Sequence, residues 1–249
     1  MSISSGGPLR SLEARRLLAE SFRLLSQHFG IFLPLALAPA LLEEAALIAL
    51  LPGGDAQAPD TFTPGLAIAA FASSLASHIV IALVTLASID FIAQRNRSLD
   101  TYLRITFSQV LPILVIGTLV SVVAGLAAIF FVIPGLYVYA QFFVWLPCLL
   151  FERAGFGCLS RAQSLTRGHR WPLVGILLIL ALVFFGLMVF LGPVWTALTT
   201  GLHGILAALL SAALSGFSYA IIGIFGAKVY LRLRFLEDGE TPDRIADAL

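Results

Sequence analysis

Long apolar runs alternate with short polar gaps along this chain. Six runs stand out, at about 30–51, 65–92, 111–132, 136–151, 172–194 and 203–229. A helix needs roughly twenty apolar residues to cross about 30 Å of hydrocarbon. The fourth run covers only about 24 Å at 1.5 Å per residue, so it reads as a short span or a re-entrant segment. Pro134-Gly135 separates it from the third run, which would otherwise continue into a helix too long for one crossing. The pattern predicts an all-α fold, a polytopic bundle of six transmembrane helices. Its expected organisation is one integral membrane domain over 1–249: an amphipathic segment over 1–29, the bundle over 30–229 and a cytoplasmic tail over 230–249.

The gaps carry a second periodicity. Ahead of the first run, Arg10, Glu13, Arg16, Glu20, Arg23 and Gln27 recur every three or four residues, with Leu18, Phe22, Leu25 and Phe29 on the other face. Around 98–110, Leu103, Phe107 and Val110 oppose Asp100, Arg104 and Ser108. Beyond the fourth run, Phe156, Leu159, Ala162 and Leu165 oppose Arg161, Ser164 and Gly168. These segments are predicted to lie in the headgroup plane as interfacial helices. Helix plus hairpin thus occurs three times at unequal spacing, which fits an internal repeat or the general tendency of short membrane loops to be amphipathic.

Charge sets the orientation. All fifteen basic residues fall in alternate gaps: Arg10, Arg15, Arg16 and Arg23 before the first run; Arg95, Arg97 and Arg104 after the second; Arg153, Arg161, Arg167 and Arg170 after the fourth; Lys228, Arg232, Arg234 and Arg244 after the last. Cytoplasmic loops carry the Lys/Arg excess, so both termini are expected in the cytoplasm. The opposite gaps, Pro52 to Pro64 with Asp55 and Asp60, Ile133-Pro134-Gly135, and Gly192 to Trp195, hold no Lys or Arg. A fourth run that failed to cross would move four arginines outside, so the charge pattern favours a short span.

Composition agrees. A mean hydropathy of +0.97, with 59% hydrophobic and 12% charged residues, lies outside the range of water-soluble domains. The net charge of +1 is spread over four gaps, which argues for lipid headgroups as partners and against nucleic acid. Cys148 and Cys158 lie at or past a cytoplasmic helix end, where no disulfide is expected. About thirty residues precede the first run, which lacks a small-residue cleavage site, so the first span is expected to stay as an anchor.

Few residues carry candidate chemistry. Glu43 and Glu44 sit inside the first run, where carboxylates are costly unless they face protein, water or the interface. They either line an ion path, in contact with His78 of the second run, or snorkel outward. Adjacent residues point about 100° apart on a helix, so both are not expected to face His78. His78 itself reads as a hydrogen-bonded packing histidine before a proton relay. Asp90 is expected to face headgroups or Arg95. His28 and His169 read as interfacial anchors, since neither has ligand partners in sequence. No phosphate loop, zinc motif or nucleophile elbow occurs, and no cofactor or metal is expected. Gly204, Ala208, Ala212, Gly216 and Ala220 form a ladder of small residues in the last run, with Ala207, Ser211 and Ser215 beside it. It marks the packed centre of the bundle or a homo-oligomer seam.

The most distinctive stretch is 133–172. Pro134-Gly135 is expected to make the outer turn, Pro147 to relax the short span, and Gly155 to permit a sharp bend that lays the next helix along the membrane surface. Glu152 is expected to pair with Arg161 across that bend, and Ser164 to bond to backbone. Together with Ser164-Leu165-Thr166, Gly168 and Tyr230-Leu231-Arg232, these residues resemble the bacterial membrane domain associated with glycerophosphodiester phosphodiesterases, and related six-span proteins. Ala162 departs from the serine that members often carry there. The resemblance implies a six-span inner-membrane architecture. It does not imply phosphodiesterase activity, because that chemistry belongs to a separate soluble barrel that is not expected here.

The sequence therefore points to a non-enzymatic organiser of lipids or partner membrane proteins. A small-solute or ion transporter using Glu43, Glu44 and His78 is the alternative, and a lipid-active membrane enzyme the third. The topology has a direct check: cysteines placed near Asn96 or Ser164 are expected to label only from inside, and one near Asp55 from outside. Labelling in the reverse sense would contradict it.

Overall fold

The computed structural model describes residues 14–50, 64–95, 97–152, 155–200 and 204–247. Arg10, Glu13, Asp55, Asp60, Asn96 and Arg153 lie outside these residues. In chain order the helices are α1 (Ala14–Gln27), α2 (Phe29–Leu50), α3 (Pro64–Ile92), α4 (Leu99–Ser108), α5 (Val110–Phe130), α6 (Val132–Phe142), α7 (Trp145–Glu152), α8 (Gly157–Leu165), α9 (Arg170–Thr200), α10 (Gly204–Asp238) and α11 (Pro242–Asp247). No strand occurs among the described residues, as expected where every backbone polar group must be satisfied within its own segment. Four stretches are long and apolar enough to cross a membrane: Phe71–Ile92, Val110–Ala128, Val132–Glu152 and Ile205–Asp238. Two bent pairs, α1 with α2 at 91° and α8 with α9 at 96°, raise the number to as many as six. The molecule is an all-helical bundle of the membrane-protein type.

Packing divides the helices into two groups. α2, α3 and α10 pack on one another, while α5 and α6 form a hairpin against which α9 lies. α3 touches α5 and α7, and α10 touches α7, α8 and α9, so these helices join the groups. Outward-facing Leu111, Val115, Leu119, Val122 and Leu126 make an exposed apolar stripe on α5, a surface that water would penalise and hydrocarbon would not. The small-residue ladder of α10 works as an approach surface. Ala212 and Ala220 are buried, and a β-carbon on Gly216 would lie 3.2 Å from the Ala36 carbonyl oxygen of α2.

Three boundaries differ from the sequence reading. The outer turn between α5 and α6 is at Phe131, which is extended (φ −158°, ψ 141°). Pro134 instead occupies the first turn of α6, where its missing N–H has no partner to lose. Gly135 serves a close approach, because a β-carbon there would fall 2.5 Å from that of Ala128. The expected break at Gly192 to Trp195 is also absent, and α9 runs through Pro193 to Thr200. The expected tail is ordered: α10 continues to Asp238, and α11 returns to α3 with Ile245 and Ala246 buried. Arg97 Nη2 donates to the Ala246 carbonyl at 2.7 Å, and Arg95 pairs with Asp247.

The amphipathic helices are present but rotated. In α1 the buried line is Leu17, Ser21 and Leu25; in α4 it is Tyr102 and Thr106; in α8 it is Cys158, Ala162 and Leu165. Each helix turns a line of two or three residues towards the bundle. A phenylalanine of each apolar stripe stays outside: Phe22 is 50% exposed, Phe107 57% and, just ahead of α8, Phe156 63%.

Close approach at the α3–α10 contact yields a test. A β-carbon on Gly223 would meet Val84 Cγ1 at 2.8 Å and the Ile81 carbonyl oxygen at 3.1 Å, whereas nothing lies within 4 Å of one on Gly226. Gly223→Ala is expected to cost about 1–3 kcal/mol through overpacking, read as a lower melting temperature in detergent. Gly226→Ala is expected to leave it unchanged or raised. Equal melting of the two variants would contradict this packing.

Candidate functional site

Polar side chains gather in three places. The largest group sits where α7, α8 and the end of α10 meet. Gly155 at φ +51° takes a left-handed conformation that favours glycine, and it reverses the chain after α7. Glu152 and Arg161 then meet, with Arg161 Nε donating to Oε2 at 2.8 Å. The other oxygen, Oε1, accepts from Arg234 Nη1 and from the Tyr230 hydroxyl, each at 3.1 Å. Arg161 also pairs with Asp238. Arg234 lies 2.9 Å from Asp238 and pairs with Glu240. Two guanidinium groups and three carboxylates thus form one network, with Tyr230 fully buried beneath it. His169 Nδ1 lies 3.6 Å from Glu237 at its margin.

The bend brings α8 back against α7 and α6. Thr166, at the C-cap of α8, holds its hydroxyl 2.9 Å from the Ala162 carbonyl and 3.1 Å from that of Gln141 in α6. Arg170 reaches Tyr137, still earlier in α6. As residue numbers rise from 161 through 166 to 170, their partners fall from 152 through 141 to 137. α8 therefore packs back against α7 and α6, and the bend at Gly155 expected from sequence brings Glu152 and Arg161 together. Cys158 and Ala162 provide the thin buried face that such close packing needs. Cys148 and Cys158 are both buried and free. Ser164 donates to the Arg161 carbonyl at 2.7 Å. Pro147 lies in the first turn of α7, beyond the break between α6 and α7.

The second group holds Glu43, which is buried and does not snorkel. It accepts from Ser73 of α3, and the Tyr219 hydroxyl of α10 lies 3.2 Å from Oε2 and 3.3 Å from Oε1. Glu44 is only half-buried. The third group is a cleft of about 180 Å³ between the two helical groups, lined by His78, Thr85, Ser121, Tyr139 and Trp145 among others. The Ser74 carbonyl can only accept, so His78 Nδ1, 2.5 Å away, carries the proton that it donates there. A β-carbon on Gly117 would lie 2.8 Å from Nε2, so this glycine makes room for the ring. Ser73 and His78 are five residues apart on α3, roughly 140° around the helix. The structure therefore keeps Glu43 and His78 apart.

Asp90 is fully buried and paired with Arg97 at 3.3 Å, which corrects the expectation of headgroups or Arg95. Burial and the Asp90 carboxylate raise the Tyr102 hydroxyl well above its ordinary pKa. His28 stacks on Phe91 with ring centres 4.5 Å apart. Among the described residues, no group of three or more His, Cys, Asp or Glu side chains is placed to hold a metal ion. Comparison with family models, curated proteins and solved structures gives no match.

The network makes an asymmetric prediction. Glu152→Gln removes the shared acceptor of two arginines and is expected to cost roughly 1–3 kcal/mol. Arg161→Gln should cost less, because Arg234 still compensates Glu152. The double change should recover part of the loss. Folded yield and melting temperature in detergent measure this, and strictly additive losses would contradict the network.

Proposed function

We propose that this chain is a six-span protein of the bacterial inner membrane, with both termini cytoplasmic, that organises anionic lipids along its cytoplasmic side without catalysing a reaction. One observation carries the reading. α1, α4 and α8 each pack on the bundle through a line of two or three buried residues (Leu17, Ser21 and Leu25; Tyr102 and Thr106; Cys158, Ala162 and Leu165) and leave Phe22, Phe107 and Phe156 outside. Arg23, Arg104 and Arg167 are exposed on the same segments. Aromatic rings beside arginines suit the boundary between acyl chains and anionic headgroups. The complete alternation of basic residues supports the orientation. The motif around Glu152 supports kinship with the membrane domain associated with glycerophosphodiester phosphodiesterases.

The cleft beside His78 favours a second reading, a conduit for a small solute. Its support is weaker, because Glu43 is engaged on another face of α3 and does not reach that cleft.

Reconstitution distinguishes the two. In bilayers of phosphatidylcholine with a minority of phosphatidylglycerol, the purified protein is expected to carry away phosphatidylglycerol in excess of its bulk share, read by native mass spectrometry. Phe22→Ser, Phe107→Ser and Phe156→Ser combined should reduce that excess. Retention at the bulk ratio, together with solute flux that His78→Ala abolishes, would replace this reading with the conduit.

A further inference from the structure

Resting on the lipid-organising reading, we infer that Arg170 is a specific binding site for the phosphate of one anionic phospholipid, held where α6, α8 and α9 meet. Arg170 differs from the arginines of the Glu152 network in having no carboxylate partner among the described residues. Its Nη1 lies 3.4 Å from the Tyr137 hydroxyl, and its Nη2 donates to the Gln163 carbonyl at 3.2 Å. The guanidinium also lies 5.9 Å from the centre of the Tyr137 ring. A guanidinium has five N–H donors. Two are engaged here, and the Nε–H is buried without an acceptor. The group is therefore held in place by neutral contacts while its charge and three donors remain unanswered. A tetrahedral oxyanion answers the charge and the two remaining Nη donors, since two of its oxygens match the fork of the guanidinium. Arg167, exposed and three residues earlier across the turn at Gly168 (φ +87°), adds a second charge that favours a headgroup of net negative charge.

The surroundings identify the source of the phosphate as a lipid. Trp171, next in sequence, is 67% exposed, with its ring 5.5 Å from that of Tyr137. Trp171, Gly175, Ile179 and Leu182 follow one another on a single exposed face of α9. Nothing lies within 4 Å of a β-carbon placed on Gly175, so the face has a notch there. A fixed cation thus heads an apolar track that leads away from it. Free phosphate would use the cation alone. A phospholipid fits both, with its phosphate on Arg170 and an acyl chain along the track.

The test compares the intact protein with Arg170→Gln, Arg170→Lys and Tyr137→Phe, using Arg16→Gln as a control on an exposed arginine that pairs with Glu20 within its own helix. Each is reconstituted with phosphatidylcholine and a minority of phosphatidylglycerol, and retained lipid is counted by native mass spectrometry. Arg170→Gln is expected to reduce retained phosphatidylglycerol about five-fold, the weight of one basic residue at a charged surface. Arg170→Lys should fall between, because it keeps the charge and loses the fork. Arg16→Gln should match the parent. If Arg170→Gln does not fold, Arg170→Lys and Tyr137→Phe decide, and parental retention in both overturns the site. Retention by Arg170→Gln equal to the control also overturns it. Displacement of the lipid by millimolar inorganic phosphate would assign the site to a free anion. Absence of any excess in the parent would overturn the lipid-organising reading itself, a result distinct from an excess that Arg170 does not control.

Discussion

Glu152 carries the connection between the two ends of this chain. One carboxylate oxygen accepts from Arg161 across the α7–α8 reversal, and the other accepts from Arg234 and Tyr230 of α10. An ion pair that is partly withdrawn from water gains little net free energy over apolar packing, but it is costly to break from one side. Its value is therefore geometric. With Asp238 and Glu240 closing the network, α8 can occupy one position against α7, and α10 one rotation against both. Tyr230 lies fully buried under the charges, which fixes their depth in the packing.

From that anchoring follows the arrangement of the short helices. α8 doubles back along α6, bringing Thr166 to Gln141 and Arg170 to Tyr137. The bend of 96° into α9 then leaves Trp171 outside. α1 and α4 are placed by different contacts. Lys228 of α10 reaches Glu20 of α1 at 3.3 Å, and Asp90 of α3 holds Arg97 ahead of α4. In all three cases a line of two or three residues packs inward and a phenylalanine remains outside. Where hydrocarbon is the solvent, an aromatic ring gains nothing by choosing protein over lipid, whereas small residues gain close van der Waals contact.

That argument also explains what was legible in the sequence. The all-helical character and the order of the apolar helices followed from hydropathy, because the length of an apolar run is a local property. The Glu152–Arg161 pair was legible because both partners belong to one short stretch with a glycine between them. Arg234, Asp238 and Glu240 were not, since they lie more than seventy residues later and nothing local marks them as partners. The rotation of the amphipathic faces was hidden because periodicity separates polar from apolar positions but cannot separate lipid-facing from protein-facing ones. Pro134-Gly135 looked like a turn because proline commonly ends a helix. Its place in the first turn of α6 depends on Gly135 meeting Ala128, a contact between helices. The burial of Asp90 likewise needed Arg97 and Tyr102 to be placed in space. The pairing of Gly117 with His78 left one signal, a glycine within an apolar run, but not the identity of its neighbour.

The α8 packing anchored by Glu152 is the central claim, and disulfide trapping reads it most directly. With Cys148 and Cys158 replaced by alanine, Gln141→Cys and Thr166→Cys are introduced together and oxidised in native membranes. The structure predicts rapid cross-linking between these positions, and slow cross-linking once Glu152→Gln is added. Absence of a cross-link in the otherwise intact protein would mean that the helix after Gly155 lies away from α6, contradicting this packing. An unchanged rate with Glu152→Gln would mean that the carboxylate does not hold it.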